Sequence, residues 1–483
     1  MIPDVFDAIV IGAGPAGMAA ATELAGHGAS TLLVDEQAQP GGQIYRAAES
    51  CGNADADRFG KSYLRGRDLI ATFRSQPIDY RPETTVVNIT DNFAADIVGQ
   101  DRLSRVSGDV LIVAAGAYER PLAIPGWTLP GVMTAGAGQI LAKQSGIVPS
   151  GRIIVAGTGP LIWLLAWQYA RMGVRIEAIV TVEADGNFRN AARHLAGFLG
   201  SVYVRDGLKY LATAYRTTRI VRARRLRGIQ GEKRATGLVL EGRDGRNRTI
   251  EADTILLHNG VQPNVNLAGG LGCDLVWNGQ QRCWETSTDE WQRTSRHGIY
   301  MAGDGSAIAG ARVAECSGRI AAVDALWRLG RLARAERDAT AAPWAAERDT
   351  HLRGRAFVDA LYSPVDTMGE ADADTMVCRC EGVTLAAVET VLRNAEIDST
   401  HVSARLNHLK AMTRCGMGSC QGRNCWPSIT ALMASRLGVD PILVGPPSHR
   451  FPTKPLALDA LAGFSIADAA DGNETGTDAD DRQ

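Results

Sequence analysis

A six-residue loop near the N-terminus, Gly12-Ala13-Gly14-Pro15-Ala16-Gly17, follows the apolar run 8–11 and opens the alanine-rich stretch 18–25. A second apolar run, 31–34, ends on Asp35-Glu36. Strand, glycine turn, helix and strand in that order predict a βαβ dinucleotide-binding unit. Each glycine has its own task there. Gly12 permits the tight turn, Gly14 lets backbone amides approach a diphosphate, and Gly17 lets the helix lie on the sheet. The helix N-terminus adds partial positive charge, and Asp35 or Glu36 stands where a ribose needs an acceptor.

The pattern returns about 145 residues later. Residues 152–156 read as a strand, Gly157-Thr158-Gly159-Pro160 as a glycine turn, 161–172 as a helix and 174–182 as a further strand. This copy departs from the fingerprint. Its third small position is Ile162, the nearest acid after the second strand is Glu183, and no basic cluster awaits a 2′-phosphate. No Cys-x-x-Cys lies nearby to receive electrons from a flavin. The expectation is a retained fold that packs against a partner or holds another nucleotide, not an intact nicotinamide site. Two more strands, 110–114 and 299–302, run into Ala115-Gly116 and Gly303-Asp304.

Composition narrows the remaining choices. With 51 basic against 53 acidic residues among 483, no whole-chain field favours nucleic acid or an anionic membrane. The N-terminus lacks the basic-then-apolar order of a secretory signal, and the run 161–167 is far short of the ~20 residues that span a bilayer. A reducing cytoplasm is expected, with any inner-membrane attachment peripheral and through partners. Residues 216–234 carry seven arginines and one lysine and read as the solvated edge of a β-meander. Residues 328–372 read as an arginine-rich, helix-prone connector broken by Pro343 and Pro364. The acidic stretch 468–483 reads as a disordered tail.

Five of the nine cysteines fall between Cys378 and Cys425. Cys378-Arg379-Cys380 is paired with Cys415-Gly416-Met417-Gly418-Ser419-Cys420-Gln421-Gly422-Arg423-Asn424-Cys425, with a capped helix over 384–392 between them. Four thiolates in two close pairs can hold a [2Fe–2S] cluster. Zinc also accepts four cysteines, although Cys-x-Cys is awkward for a zinc knuckle. Cys51, Cys273, Cys283 and Cys316 read as packing residues. The eight histidines are dispersed, and no substrate-converting constellation emerges, so no catalytic residue is assigned.

Pro40-Gly41-Gly42-Gln43-Ile44-Tyr45-Arg46 resembles the two-dinucleotide-domain flavoproteins related to thioredoxin reductase. Val113-Ala114-Ala115-Gly116-Ala117 is similar to that group's second, short FAD signature. Tyr300-Met301-Ala302-Gly303-Asp304 is similar to its late motif, in which the aspartate bonds the ribityl chain. The cysteine region resembles the ferredoxin-like domain first known from bacterioferritin-associated ferredoxin, in the form Gly-Met-Gly-x-Cys-Gln-Gly-Arg-x-Cys fused to certain flavoprotein subunits. With Ala117-Tyr118-Glu119-Arg120-Pro121 and the run 124–132 added, nearly the whole chain resembles one family. It is the large flavoprotein component (α or A) shared by opine oxidases, D-hydroxyproline dehydrogenase and hydrogen cyanide synthase.

The resemblance implies an α/β fold with two Rossmann-like dinucleotide-binding domains, the second inserted in the first, plus a small C-terminal helical Cys-rich iron–sulfur domain. The implied domains are 1–118 with 280–335 for FAD, a degenerate NAD(P)-binding-like domain at 119–279, a connector at 336–372, a [2Fe–2S] domain at 373–440, and an extension at 441–483. FAD would be held by Gly12, Gly14, Ala16, Gly17, Asp35 and Glu36. Gly42, Gln43, Arg46 and Val86 would add to that site, as would Ala115, Gly116, Gly303 and Asp304. Cys378, Cys380, Cys420 and Cys425 would hold the cluster, leaving Cys415 as a spare or as a ligand in a shifted register. The implied role is an electron-transfer subunit of a dehydrogenase for an amino-acid-derived amine, which is oxidised in an amino-acid-oxidase-like β subunit. The same picture includes a small ferredoxin-like γ subunit, an FMN at an interface between subunits, and a quinone or dye acceptor. Two rivals stay open: a stand-alone NAD(P)H-dependent reductase, and a scaffold whose cofactors are structural.

Overall fold

A computed structural model describes residues 4–52, 57–99, 102–182, 186–369, 371–394 and 402–462. Glu183 and the stretch 468–483 lie outside the described residues. The first unit opens with β1 (Asp4–Ile11), α1 (Pro15–Gly26), β2 (Thr31–Val34), α2 (Lys61–Arg74) and β3 (Asp79–Arg81). An antiparallel excursion, β4 (Thr84–Ile89) and β5 (Ala94–Gly99), leads into β6 (Arg102–Val113) and the short β7 (Ala117–Glu119). Pro15 starts α1, where a missing N–H costs nothing. The helix is alanine-rich because it is buried against the sheet on one side and a second helix on the other.

The sheet order is β3-β2-β1-β6-β5-β4, with β18 (Ile299–Met301) pairing β6. β1 runs parallel to both β2 and β6. The strand order therefore reverses between β1 and β6, and the loops leaving their C-terminal ends, Gly12 and 114–116, open a crevice at that switch point. This is the place where such sheets bind ligands. Leu32, Leu33, Leu111 and Ile112 are fully buried in this sheet, each contributing about 1.5–3 kcal/mol.

The second unit runs through β8 (Val132–Thr134), α3 (Ala135–Ser145), β9 (Ile153–Thr158), α4 (Leu161–Arg171) and β10 (Ile176–Val182). Three helices follow, α5 (Asn187–Ala192), α6 (Leu195–Leu199) and α7 (Val204–Thr217). Then come β11 (Arg219–Gln230), β12 (Gly237–Gly242), β13 (Asn247–Glu251), β14 (Thr254–Asn259) and β15 (Val261–Pro263). Its sheet order is β13-β12-β11-β10-β9-β14-β8. The expected meander is present, but the arginine-rich strand is not its edge. β11 lies between β10 and β12, and Arg224, Arg225 and Arg227 converge on the buried carboxylate of Glu241. An inner strand tolerates this charge because a counter-charge sits on its neighbour.

The chain returns to the first unit through α8 (Asn266–Gly270), the hairpin β16 (Leu275–Asn278) and β17 (Cys283–Thr286), β18, and α9 (Ala311–Arg328). α9 packs on α1 at backbone contact. A Cβ at Gly318 would lie 2.1 Å from the carbonyl oxygen of Ala16. The arginine-rich connector is largely two helices, α10 (Arg334–Leu352) and α11 (Arg355–Leu361), and Pro343 sits inside α10 without ending it. The cysteine region folds as the hairpin β19 (Met376–Cys378) and β20 (Val383–Thr384), then α12 (Leu385–Asn394), α13 (Val402–Thr413), α14 (Trp426–Leu437) and α15 (Pro441–Val444). A last short helix, α16 (Leu458–Ala462), closes the described chain. Among the described residues no helix is long and apolar enough to cross a membrane.

Candidate functional site

At the β1/β6 switch point lies a cavity of about 500 Å³. Gly12, Gly14, Ala16, Asp35, Glu36, Gly42, Gln43, Arg46, Val86, Ala115, Gly116, Gly303 and Asp304 all line it. Gly17 does not. A Cβ there would fall 1.8 Å from the carbonyl oxygen of Gly12, so this glycine serves helix packing. Gly12 has φ +104°, and a Cβ would lie 2.5 Å from the carbonyl oxygen of Ala114. The turn and the close approach of β1 and β6 both depend on it.

The two acids after β2 do different work. Asp35 Oδ2 accepts the Ala13 N–H at 2.5 Å and Oδ1 accepts the Gln37 N–H at 2.6 Å. Burial raises the Asp35 carboxyl above its usual range, against the pull of those two amides. Asp35 is thus committed to holding the glycine loop, while Glu36 is exposed and presents its carboxylate at the cavity wall. Asp304 is oriented by its own loop, since Oδ1 accepts the N–H groups of Ala309 and Gly310, each at 2.9 Å.

The loop bearing Gln43 and Ile44 is pinned from the second unit. Lys143 on α3 is buried and donates to the Ile44 carbonyl at 2.9 Å and to Gln139 Oε1 at 3.1 Å. Burial, and secondarily the nearby Arg46 charge, pull its pKa down to about 7. A lysine inside this interface is the kind of buried donor that sequence periodicity does not reveal.

The second glycine loop faces protein. A Cβ at Gly157 would fall 1.8 Å from the His258 carbonyl oxygen, and one at Gly159 would fall 2.5 Å from the His258 ring. His258 is buried and its Nδ1 pairs with Glu119. Glu119 Oε2 also accepts the Gly136 N–H at the start of α3, at 2.7 Å. Ile162, in the third fingerprint position, is fully buried. The glycines here accommodate the end of β14 and its histidine.

In the cysteine region, the Sγ atoms of Cys378, Cys415 and Cys425 lie within 4.8 Å of one another, all buried. The trio includes Cys415, which the sequence leaves as a spare or as a ligand in a shifted register, and lacks Cys380 and Cys420. Arg414, with φ +61°, turns the chain so that Cys415 points inward. Hydrogen bonds from Cys415 and Cys425, helped by the Gly416 and Glu381 amides, hold the Cys378 thiol far below its ordinary range. Cys380 is exposed and Cys420 half-buried at the rim. The Cys380 thiol accepts from Ser419 Oγ at 3.7 Å, and burial, with the neighbouring Cys380 thiol, pushes the Cys420 thiol above its ordinary range. Gly418 brings the two segments together, since a Cβ there would lie 2.5 Å from Cys380 Cβ.

Cavity and thiols share a wall. Arg423, between Cys420 and Cys425, lines the cavity. Its carbonyl accepts from Gln262 Nε2 at 3.1 Å, and the Gln421 carbonyl accepts from Asn266 Nδ2 at 3.1 Å. Both donors are buried, and Asn266 lines the cavity beside Val261, Asn264 and Leu267. Tyr118, Asn264, Asn266, Arg423, Thr453 and Lys454 are cavity residues that sequence reasoning misses. Two sequence signals touch this set: the Gly-Arg pair inside the cysteine motif points to Arg423, and the run Ala117-Tyr118-Glu119-Arg120-Pro121 contains Tyr118.

Residues 6–322 match the pyridine nucleotide-disulphide oxidoreductase family. The chain is 40% identical over 469 residues to the A component of opine oxidase from Rhizobium meliloti, covering 95% of this chain and 87% of that one. It is 30% identical over 471 residues to the HcnB component of hydrogen cyanide synthase from Pseudomonas protegens, covering 94% and 97%. Its fold is similar to that of L-proline dehydrogenase from P. horikoshii, with TM-score 0.70 at 18% identity over 95% of this chain and 79% of that one. A switch-point cavity carrying both glycine signatures, together with these matches, shows one component of a flavin-dependent oxidoreductase: the chain belongs to the pyridine nucleotide-disulphide oxidoreductase family and, within it, to the group of opine oxidase A and hydrogen cyanide synthase HcnB components.

Proposed function

We propose that this chain is the FAD- and [2Fe–2S]-carrying electron-transfer subunit of a hetero-oligomeric dehydrogenase. The assembly would oxidise an amino-acid-derived amine, an opine or cyclic imino acid, at an amino-acid-oxidase-like partner. The observation that carries this reading is the shared wall: Arg423 stands in the dinucleotide cavity and belongs to the short loop that runs from Cys420 to Cys425.

The residues fit a flavin dinucleotide. The N-terminus of α1 faces the cavity through Gly14 and Pro15 and suits a diphosphate. Glu36 suits ribose hydroxyls, and Asn264 Oδ1, buried with no partner among the described residues, awaits a donor. The thiols fit a two-metal cluster better than a single zinc, because they divide into a buried group around Cys378 and Cys425 and a rim pair, Cys380 and Cys420. We assign Cys378, Cys380, Cys420 and Cys425 as ligands and Cys415 as a fifth thiol beside them. A bound flavin accepts electrons in pairs and releases them singly, which suits a one-electron cluster next to it. Gln262 and Asn266 fix the cysteine loop, and with it Arg423, against the cavity wall. His258 at the second glycine loop favours this partner-dependent reading over a stand-alone NAD(P)H reductase.

The test is coexpression with the partner subunits, cofactor analysis of the purified complex, and a dye-linked amine screen. The reading expects FAD and iron on this chain and reduction of both by an amine. Rapid bleaching of the flavin by NAD(P)H in the isolated chain would support the reductase instead.

A further inference from the structure

After α15 the chain does not leave the molecule. It turns back from the cysteine region across the mouth of the dinucleotide cavity. Ser448 Oγ accepts from Asn407 Nδ2 at 3.2 Å, tying the start of this strap to α13. The His449 ring then seats on Gly269, where a Cβ would lie 2.6 Å from it, and the Phe451 ring seats on Gly270 at 3.2 Å. Both glycines belong to α8, whose first residues line the cavity. Thr453 is buried and lines the cavity, and Lys454 lines it next. The Lys454 ammonium pairs with the Glu36 carboxylate. Beyond it, α16 packs on β6.

Glu36 follows the end of β2, the position where a dinucleotide fold meets the ribose of the adenosine half. Thr84 and Val86 line the same end of the cavity. The strap therefore reaches the adenosine end of the cavity. It lies outside residues 6–322, the part that matches the oxidoreductase family.

We propose that Thr453 and Lys454 are dinucleotide-binding residues, and that the Lys454–Glu36 pair latches the C-terminal strap over the adenosine half of the cofactor. The inference rests on the reading of this cavity as the FAD site. Lys454 supplies a cationic donor beside the acceptor on Glu36, so a ribose meets both kinds of partner at once. The latch also keeps the strap closed, and cofactor release requires it to open. A charge pair of this partial exposure is a modest lock, so its removal speeds release by about three- to tenfold.

The experiment measures FAD release from the purified full chain, by the rise in flavin fluorescence after dilution, with iron content and melting temperature alongside. K454A is expected to release FAD about three- to tenfold faster, K454E faster still, and the swapped E36K/K454E protein to recover toward the K454A rate or slower. Iron content stays at the wild-type level in all three. Wild-type release rates in both K454A and K454E, with iron and melting temperature unchanged, overturn the latch while leaving the FAD site standing. A wild-type chain that neither carries nor takes up FAD overturns the cavity reading and the latch together.

Discussion

Asn266 donates its side-chain amide to the carbonyl of Gln421 at 3.1 Å while lining the dinucleotide cavity. One buried side chain thus touches both the cavity and the loop that presents Cys420. With Gln262 on the Arg423 carbonyl, it makes the wall between the cavity and the cysteine loop a fixed structure. Replacing Asn266 with alanine leaves a buried carbonyl unpaired, which costs about 1–3 kcal/mol. The expected outcome is a lower melting temperature and slower exchange of electrons between flavin and cluster, with FAD still bound. Unchanged stability and unchanged exchange would show that this wall is incidental.

The cysteine assignment separates under substitution. C378S, C380S, C420S and C425S are each expected to yield chain with strongly reduced iron and sulfide. C415S keeps them, with a shifted visible spectrum because its thiol lies within 4.8 Å of two ligands. Iron and sulfide analysis decides between this and a register in which Cys415 replaces Cys420.

Lys143 gives the fold a pH dependence whose sign follows from its burial. Its pKa is about 7 in the folded chain, below the ordinary lysine value of roughly 10.4. Between those values the unfolded chain binds a proton that the folded chain does not, so this residue makes stability rise with pH across that window. The slope is at most about 1.4 kcal/mol per pH unit. Lys143→Met should remove that contribution, read as denaturant midpoints at about pH 7 and about pH 9. An identical pH profile in the variant would contradict the assignment.

The two acids after β2 should part company. Asp35→Ala frees the Ala13 and Gln37 amides and is expected to lose about 1–3 kcal/mol together with most bound FAD. Glu36→Gln keeps the fold and weakens FAD binding by about three- to tenfold. Calorimetry and cofactor titration on the two variants check both.

Much of this site can be read along the chain because its contacts are local. Gly12, Gly14 and Asp35 sit within one βαβ unit, so spacing alone places them around one turn. Gly116 and Asp304 follow strand ends, and β6 beside β1 with β18 beside β6, all parallel, bring them to the same edge. Cys415 escapes such reading because its inward direction depends on the left-handed backbone of Arg414, which no motif spacing expresses. Lys143, Asn266 and Lys454 escape it for a different reason. Each meets the site from a separate part of the chain, through packing of one unit on another. The interior position of β11 is likewise hidden, since Glu241 on β12 neutralises arginines that look solvated in isolation.

In the proposed role, electrons enter this chain from an amine-oxidising partner and pass between two adjacent redox groups. Rapid mixing of the assembled complex with its amine, monitored by flavin absorbance and by electron paramagnetic resonance of the cluster, tests it most directly. Flavin and cluster are both expected to be reduced by the amine within turnover, and NAD(P)H alone is expected to reduce neither. Full reduction of the isolated chain by NAD(P)H, or a cluster that stays oxidised while the complex turns over, would contradict it.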